Sequence, residues 1–407
     1  MTSSDTQIPQ LPLAGIKVLD FGRVISGPFV GQVMADLGAD VVKVERLQVG
    51  DETRSYGPTG RHGESSLFNV LNRNKRSLSI DLGQPQAREV VQRLLREADV
   101  LVHNFRPGVM EKLGFGPDDV WKVNPRVVYC AISGFGNRGP MKKRPANDVI
   151  AQAFAGLMSF TGDADGPPVR VPVPVADYTA GLFALVGTLS ALVERSHTGR
   201  GRLVETSLLE GMLALECMHI GDFLATGKLP LKLASGNMLG QPNQAFRTRD
   251  GAAVIAAVND DMWKRCAAAL GAPELASDER FATGPRRLER KDELAGIVEA
   301  LTLQLTTEEC VLRLEAAGVT CSPIHDIAQI ASHPHVQELG ILQPTGMAEA
   351  PGRMVGSPLL VDGQRPTARR GAPRLGQDGR EILREAGFDQ NEIDALHAAG
   401  VLFPNHE

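Results

Sequence analysis

The chain has 407 residues, of which 43% are hydrophobic and 22% charged, with a formal net charge of −5. That length outgrows a single core and predicts two domains of ordinary globular composition. The acidic balance excludes a nucleic-acid binder built on a strongly basic domain.

The start, MTSSDTQIPQLPLAG, lacks the basic n-region and apolar h-region of a secretion signal, and no apolar run reads as long enough to span a membrane. Five cysteines (Cys130, Cys217, Cys266, Cys310 and Cys321) stand without CxxC spacing, as buried thiols do in a reducing compartment. These features predict a cytoplasmic protein. His333 and His335 form an HPH pair without cysteines or carboxylates at ligand spacing, so no metal site is expected.

From residue 16 the pattern alternates. IKVLDF (16–21) reads as a buried strand, GRVISGP as a loop, FVGQVMADLG as a helix and DVVKVE (40–45) as a second strand. KRSLSIDL, AREVVQRLLREA, VLVHNF, a helix around VMEKLG, and RVVYCAISGFG continue the alternation to residue 136. Runs of β-branched residues separated by helix-length segments predict right-handed βαβ units and a mostly parallel sheet covered on both faces. Next come a helical segment over 146–163, an extended edge broken by prolines over 169–176, and an apolar helix over 179–195. A further strand and helix follow, then a loop-rich crossing over 229–246 and a smaller α+β unit to about residue 325. The Pro/Gly/Arg-rich stretch after Met347 reads as irregular, and REILREAGF with QNEIDALHAAG as a closing helical pair.

The first strand is followed by GRVISGP and not by GxGxxG, which disfavours a dinucleotide site, yet the strand-end loops remain the expected ligand edge. Cations recur at those ends: Arg46, Lys75, Arg76, Arg106 and Lys112. Distributed there, they suit a ligand with several phosphates, whereas each alone suits a solvated surface. Asp177, between a proline-broken run and an apolar helix, reads either as a helix N-cap or as a carboxylate with a chemical role.

The runs PLAGIKVLDFGRVISGPFVGQVMADLGADVVKVE, LNRNKRSLSIDL, NFRPGVMEKLGFG, ISGFGNRGP, ADYTAGLFALVGTLSALVERSHTGRGRLVETSLLEGMLAL and APRLGQDGREILREAGF resemble, in order, the class III coenzyme A transferases of the CaiB/BaiF type. The resemblance implies a large Rossmann-like α/β domain made of residues 1–225 and 331–407, a small α+β domain over 226–330, and an interlocked homodimer. It implies Asp177 as the catalytic carboxylate, in a D-Y-x-x-G setting. It also implies coenzyme A contacts at Ile25, Ser26, Arg46, Leu71, Asn72, Arg73, Asn74, Lys75, Asn104, Phe105, Arg106 and Lys112. The segment SGNMLGQPN (235–243), with Gly236, Asn237, Gly240 and Gln241, resembles the family's active-site loop and equally suits a plain turn. Ile25 stands where formyl-CoA members carry a polar group, which argues against that substrate.

A carboxylate nucleophile conserves thioester energy by passing through an anhydride and an enzyme thioester, with acyl-CoA as substrate and no tightly bound cofactor. Succinyl-CoA as donor and a dicarboxylic or hydroxy acid as acceptor are the first expectation. Arg46, Arg170, Asn147, Asn237 and Gln241 are candidates to meet the acceptor. Two alternatives stand beside this one. An α-methylacyl-CoA racemase needs a second acid/base group, but the stretch expected to supply a histidine reads Ala146-Asn147-Asp148. A non-catalytic coenzyme A binder would keep Asp177 as a cap alone.

Overall fold

The computed structural model describes residues 11–57, 65–237, 240–347 and 352–402. The chain divides into two compact units, one formed by Met1–Leu157, Arg170–Lys228 and His335–Glu407, the other by Met158–Val169 and Leu229–Pro334.

The first unit opens with β1 (Lys17–Asp20), α1 (Ser26–Asp36), β2 (Asp40–Arg46), α2 (Ser66–Asn72), β3 (Lys75–Ile80), α3 (Pro85–Glu97) and β4 (Val100–His103). Two short helices, α4 (Val109–Leu113) and α5 (Pro117–Val123), lead to β5 (Val128–Ser133). After α6 (Asp148–Ala155) and α7 (Leu157–Phe160), α8 (Val175–Thr198) enters β6 (Leu203–Ser207), α9 (Leu208–Leu215) and α10 (Cys217–Thr226). All six strands run parallel in the order β3-β2-β1-β4-β5-β6. The chain leaves β1 toward β2 and leaves β4 toward β5, so a crevice opens at the carboxyl ends between them. One apolar core lies on the face that packs Val90, Leu101 and Tyr129, the other on the face that packs Val30, Val102 and Ala184. The inner strands are therefore covered on both sides, which is why these segments read as apolar runs, while β6 at the edge keeps Leu203 and Glu205 exposed.

The second unit carries an antiparallel sheet of β7 (Asn243–Arg247), β8 (Ala252–Ala256) and β9 (Thr320–Pro323) in that order. Its core is built around Trp263, Phe281 and Leu314.

Several sequence expectations are corrected. Residues 169–174 form no strand, and the helix begins at Val175, because the prolines at 172 and 174 supply no N–H to a ladder. The helical stretch after residue 146 breaks at Gly156, which adopts φ 109°. Arg353–Val355, in the segment read as irregular, pairs antiparallel with Leu342–Pro344. Val175–Thr198 has the length and mean hydropathy, 1.4, of a membrane span, contrary to the reading that no run is long enough. One side of this helix packs on β5, β6, α1 and α9, as a core helix does.

The run Leu71–Lys75 lies inside the fold. Read as ligand-contacting, it is buried and does not line the cavity described below. Lys75 Nζ donates to Asp20 Oδ2 at 2.7 Å, Pro28 O at 2.8 Å and Asn72 Oδ1 at 2.9 Å. Arg73 reaches Asp36 Oδ2 at 2.6 Å, and Asn74 Oδ1 accepts the backbone N–H groups of Arg369 and Arg370. The run is thus the hinge plate on which the C-terminal segment docks.

Lys75 is fully buried beside Asp20, so removing one charge leaves the other uncompensated. Lys75→Met is expected to lower stability by about 3–5 kcal/mol in urea unfolding, and the double variant Asp20→Asn/Lys75→Met to recover part of that loss. Wild-type stability in Lys75→Met would show that the pair does not hold β3 to β1.

Candidate active site

A cavity of about 740 Å³ opens at the carboxyl ends of the parallel strands. Its wall comes from residues 21–24 and Ser26 after β1, Val44–Arg46 at the end of β2, Ile80–Gly83 after β3, Asn104–Arg106 after β4, and Ser133–Gly134 at β5. Ala146, Asn147 and Asp177 close it from the α6 and α8 side.

The loop after β1 is a tight turn. A Cβ at Gly22 would lie 2.7 Å from the Gly27 carbonyl carbon, so only glycine allows the chain to double back there. Val24 adopts φ 63°, a left-handed conformation that a β-branched residue rarely takes. Asn104 secures the turn: its Oδ1 accepts the Arg23 N–H at 2.8 Å, and its Nδ2 donates to Arg23 O at 2.6 Å and to Ser26 Oγ at 3.0 Å. Asp51 takes the Val24 N–H at 3.3 Å.

Asp51 also pairs with Lys43 at 2.8 Å beneath the cavity. Burial alone would lower the lysine pKa, but Asp51 and then Asp20 outweigh it, so the Lys43 ammonium is held charged. Arg23 pairs with Glu52. Arg46 and Arg106 also line the cavity, both exposed at its rim.

Asp177 is not an N-cap. It is the third residue of α8, whose cap position is Pro174. The helix's Ala176 N–H is satisfied instead by Asp148 Oδ1 at 2.8 Å. Asp148 is held by Gln152 Nε2 at 2.6 Å, and the buried Gln152 side chain also spans the Val171 N–H and carbonyl. With the capping task taken by Asp148, the Asp177 carboxyl is left at the cavity wall it shares with Ser26. Burial first, then the negative charge of Asp148, pushes its pKa up to about 7, while the Ser26 donors pull the other way. No cation appears among these influences.

Of the residues expected at the site, Ser26, Arg46, Asn104, Phe105, Arg106 and Asp177 converge on the cavity. Ile25 is buried under α1 and does not line it, and Lys112 is exposed on α4, where Val109 and Leu113 supply the lining. Arg170 is exposed and outside it. Asn147 lines it, with its side-chain oxygen capping α6 through the Ile150 N–H at 3.2 Å. No histidine is among the described lining residues.

The loop residues Gly236, Asn237, Gly240 and Gln241 belong to the second unit and do not line this cavity. Gln241 is buried there, with Nε2 donating to Asn237 O at 2.8 Å and its carbonyl accepting from Arg287 Nε at 2.7 Å. Positions 238 and 239 of that loop lie outside the described residues.

Sequence reasoning missed Ile80–Gly83, Lys43 and Asp51. The signal for the first was present, because IDLG ends a strand and the site was expected at strand ends. The pairing of Lys43 with Asp51 carries no periodicity to find it by.

The model of a family described as CoA-transferase family III matches residues 13–379. The chain is 35% identical over 398 residues to succinyl-CoA:glutarate CoA-transferase of Mus musculus, covering 96% of this chain and 90% of that one. It is 36% identical over 388 residues to acetyl-CoA:oxalate CoA-transferase of Acetobacter aceti, covering 95% and 98%. A CAIB/BAIF family protein from Brucella suis, solved by crystallography, superposes with a TM-score of 0.84 at 34% identity, over 93% of this chain and 100% of that one.

Because the folded pKa of Asp177 lies above its unfolded value, the carboxyl stabilises the fold fully below pH ~4 and loses that contribution as pH rises through about 7. Asp177→Asn is therefore expected to gain stability relative to wild type between pH 4 and 8 in denaturant titrations. A difference that does not vary with pH would place the carboxylate in an ordinary solvated setting.

Proposed function

This chain belongs to CoA-transferase family III and is an enzyme of the CoA-transferase type, and from that premise we propose that it passes coenzyme A from succinyl-CoA to a small dicarboxylic or hydroxy acid through Asp177. The observation that carries the reading is the Asp177 carboxylate, partly desolvated at the cavity wall beside Ser26, with no ion pair to a cation among the described residues. A carboxylate so placed is a stronger nucleophile than one neutralised by lysine or arginine.

The chemistry balances without an external base. An Asp177 oxygen attacks the acyl-CoA carbonyl, the C–S bond breaks, and the CoA thiolate leaves a mixed anhydride. The thiolate attacks the aspartyl carbonyl carbon, expelling the donor acid and leaving an aspartyl–CoA thioester. The acceptor carboxylate then displaces the thiolate to form a second anhydride, and the thiolate attacks the acceptor's acyl carbon and frees Asp177. Each step trades one anionic nucleophile for one anionic leaving group, so no proton is moved. A cavity with no histidine among its described lining residues suits this sequence more than a racemase, which must remove and return a proton. Ser26 shares the cavity wall with Asp177 and lowers its pKa, as a donor close to the aspartyl oxygen does. Arg46 and Arg106 at the rim suit the phosphates of coenzyme A.

The names of the relatives, which pair acyl-CoA donors with glutarate and oxalate, support a short dicarboxylic acceptor. We further infer a homodimer. Leu182, Phe183, Val186 and Val193 on the outer side of α8 are at least half exposed, as are Met218 and Leu224 on α10. A second copy of the chain is the partner that would cover them.

Intact-protein mass spectrometry after incubation with succinyl-CoA is expected to show a covalent adduct that is absent from Asp177→Ala. A panel of dicarboxylic and hydroxy acids should yield one that becomes a new acyl-CoA. The variant should lose transfer by on the order of 10³-fold or more, and wild-type kcat/KM should climb with pH toward a plateau above about 7, as the nucleophile ionises. Full transfer by Asp177→Ala would overturn the reading.

A further inference from the structure

We propose that Asp148 is a positioning residue for Asp177: from α6 its carboxylate caps the first turn of α8, and together with Gln152 it fixes where that turn meets the cavity. This deepens the function proposed above and rests on it.

Helix α8 cannot cap itself. Its cap position is Pro174, whose side chain offers no acceptor. The Val175 N–H goes to the Val173 carbonyl at 2.7 Å, and the helical ladder begins only with the Tyr178 N–H on Pro174 O at 3.1 Å. Between them, the N–H of the buried Ala176 is met from another helix, by Asp148 Oδ1 at 2.8 Å. Ala176 is the residue before Asp177, so the anchor sits next to the group proposed to react.

The partners of Asp148 also decide which side chain can stand there. Its Oδ2 accepts from Gln152 Nε2 at 2.6 Å. The Gln152 amide cannot turn over to offer its oxygen instead, because Oε1 accepts the Val171 N–H at 3.0 Å and Nε2 also reaches the Val171 carbonyl at 3.2 Å. A flipped amide would set N–H against N–H and oxygen against oxygen at Val171. Gln152 is fully buried, so no water replaces a partner it loses. Both Asp148 oxygens therefore face donors, a pattern that a carboxylate meets and an amide does not.

The bridge ties together the elements that close one side of the cavity. Asn147, which precedes Asp148, lines the cavity and caps α6 through the Ile150 N–H at 3.2 Å, while Asp177 lines it from α8. Gln152 extends the tie to Val171, from which Pro172–Pro174 run into the helix. The whole entry to α8 is thus fixed to one pair of side chains on α6. A carboxylate beside that anchor keeps its place on the wall, and a displacement of about 1 Å there is enough to cost on the order of 10²-fold in rate.

Asparagine ordinarily caps a helix as well as aspartate does. At position 148 it could keep its oxygen on the Ala176 N–H only by setting its own NH2 against that of Gln152. The test is the exchange of labelled succinate into succinyl-CoA by the full-length protein, which needs no second acid. It is run at about pH 8.5, above the Asp177 pKa of about 7, so that Asp177 is ionised in every variant. Asp148→Asn should lower kcat about tenfold, with KM for succinyl-CoA within about twofold of wild type. The swapped pair Asp148→Asn/Gln152→Glu sets a donor at 148 against an acceptor at 152, and should return kcat to within about threefold of wild type. Wild-type kcat in Asp148→Asn would overturn the proposal even if its thermal unfolding temperature fell, since the residue would then serve stability alone. A loss confined to KM, or a swapped pair no faster than the single variant, would overturn it too. Should Asp148→Asn fail to fold, the swapped pair decides: folded and within about threefold of wild type it supports the positioning role, folded and slower it sinks it. Asp177→Ala separates the two levels. Exchange retained in that variant, or absent from the wild type, means that the proposed function itself fails, whereas exchange lost in Asp177→Ala and undiminished in Asp148→Asn removes only the role of Asp148.

Discussion

One side-chain amide bridges the gap on which the cavity depends. The ladder between β1 and β4 ends with the Phe21 N–H on the Val102 carbonyl at 2.8 Å, and beyond it the two chains diverge. The backbone groups of Arg23 would face a water-lined crevice without partners of their own. Asn104 satisfies both, holding the turn that leads to Ser26. The divergence that creates the crevice therefore also creates the need for a clasp, and the clasp fixes the geometry of the wall.

Beneath that wall the charges are paired. Lys75 meets Asp20, Lys43 meets Asp51, Arg73 meets Asp36 and Arg54 meets Glu45, all largely buried. These pairs connect β1, β2, β3 and the loop after β2. Asp177 is the contrast. Its neighbours are a serine and another carboxylate, so desolvation is not offset by a cation and the proton is held to about pH 7. The same physics yields a rigid floor where charges are matched and a reactive group where one is not.

The long helix α8 joins these features to the rest of the molecule. Its first turn places Asp177 on the cavity, with Asp148 supplying the cap that Asp177 would otherwise give. Ala176, Ala180 and Ala184 let its inner side lie close against the sheet. Gly181 serves the same end, since a Cβ there would stand 2.8 Å from the Phe29 ring. The outer side keeps large apolar residues exposed, which is why its hydropathy resembles that of a membrane span although its inner side is buried in the core.

The sequence by itself determined the alternation of strands and helices, because a strand covered on both faces must be apolar throughout and IKVLDF, DVVKVE and VLVHNF carry that pattern without reference to partners. It also pointed to the strand ends, where the cavity opens, and its motif around Asp177 singled out one carboxylate. Tertiary structure decided what each polar residue does. Leu71–Lys75 were expected as ligand contacts by resemblance, and nothing local in the run tells that their partners lie 37 residues away at Asp36, 55 away at Asp20 and nearly 300 away at Arg369. Spacing alone left Asp177 as either a cap or a chemical carboxylate, because the competing cap, Asp148, arrives from another helix. Local pattern encodes which face of an element is buried. Which buried charge finds which partner is set by long-range closure of the chain, and the site is made of those closures.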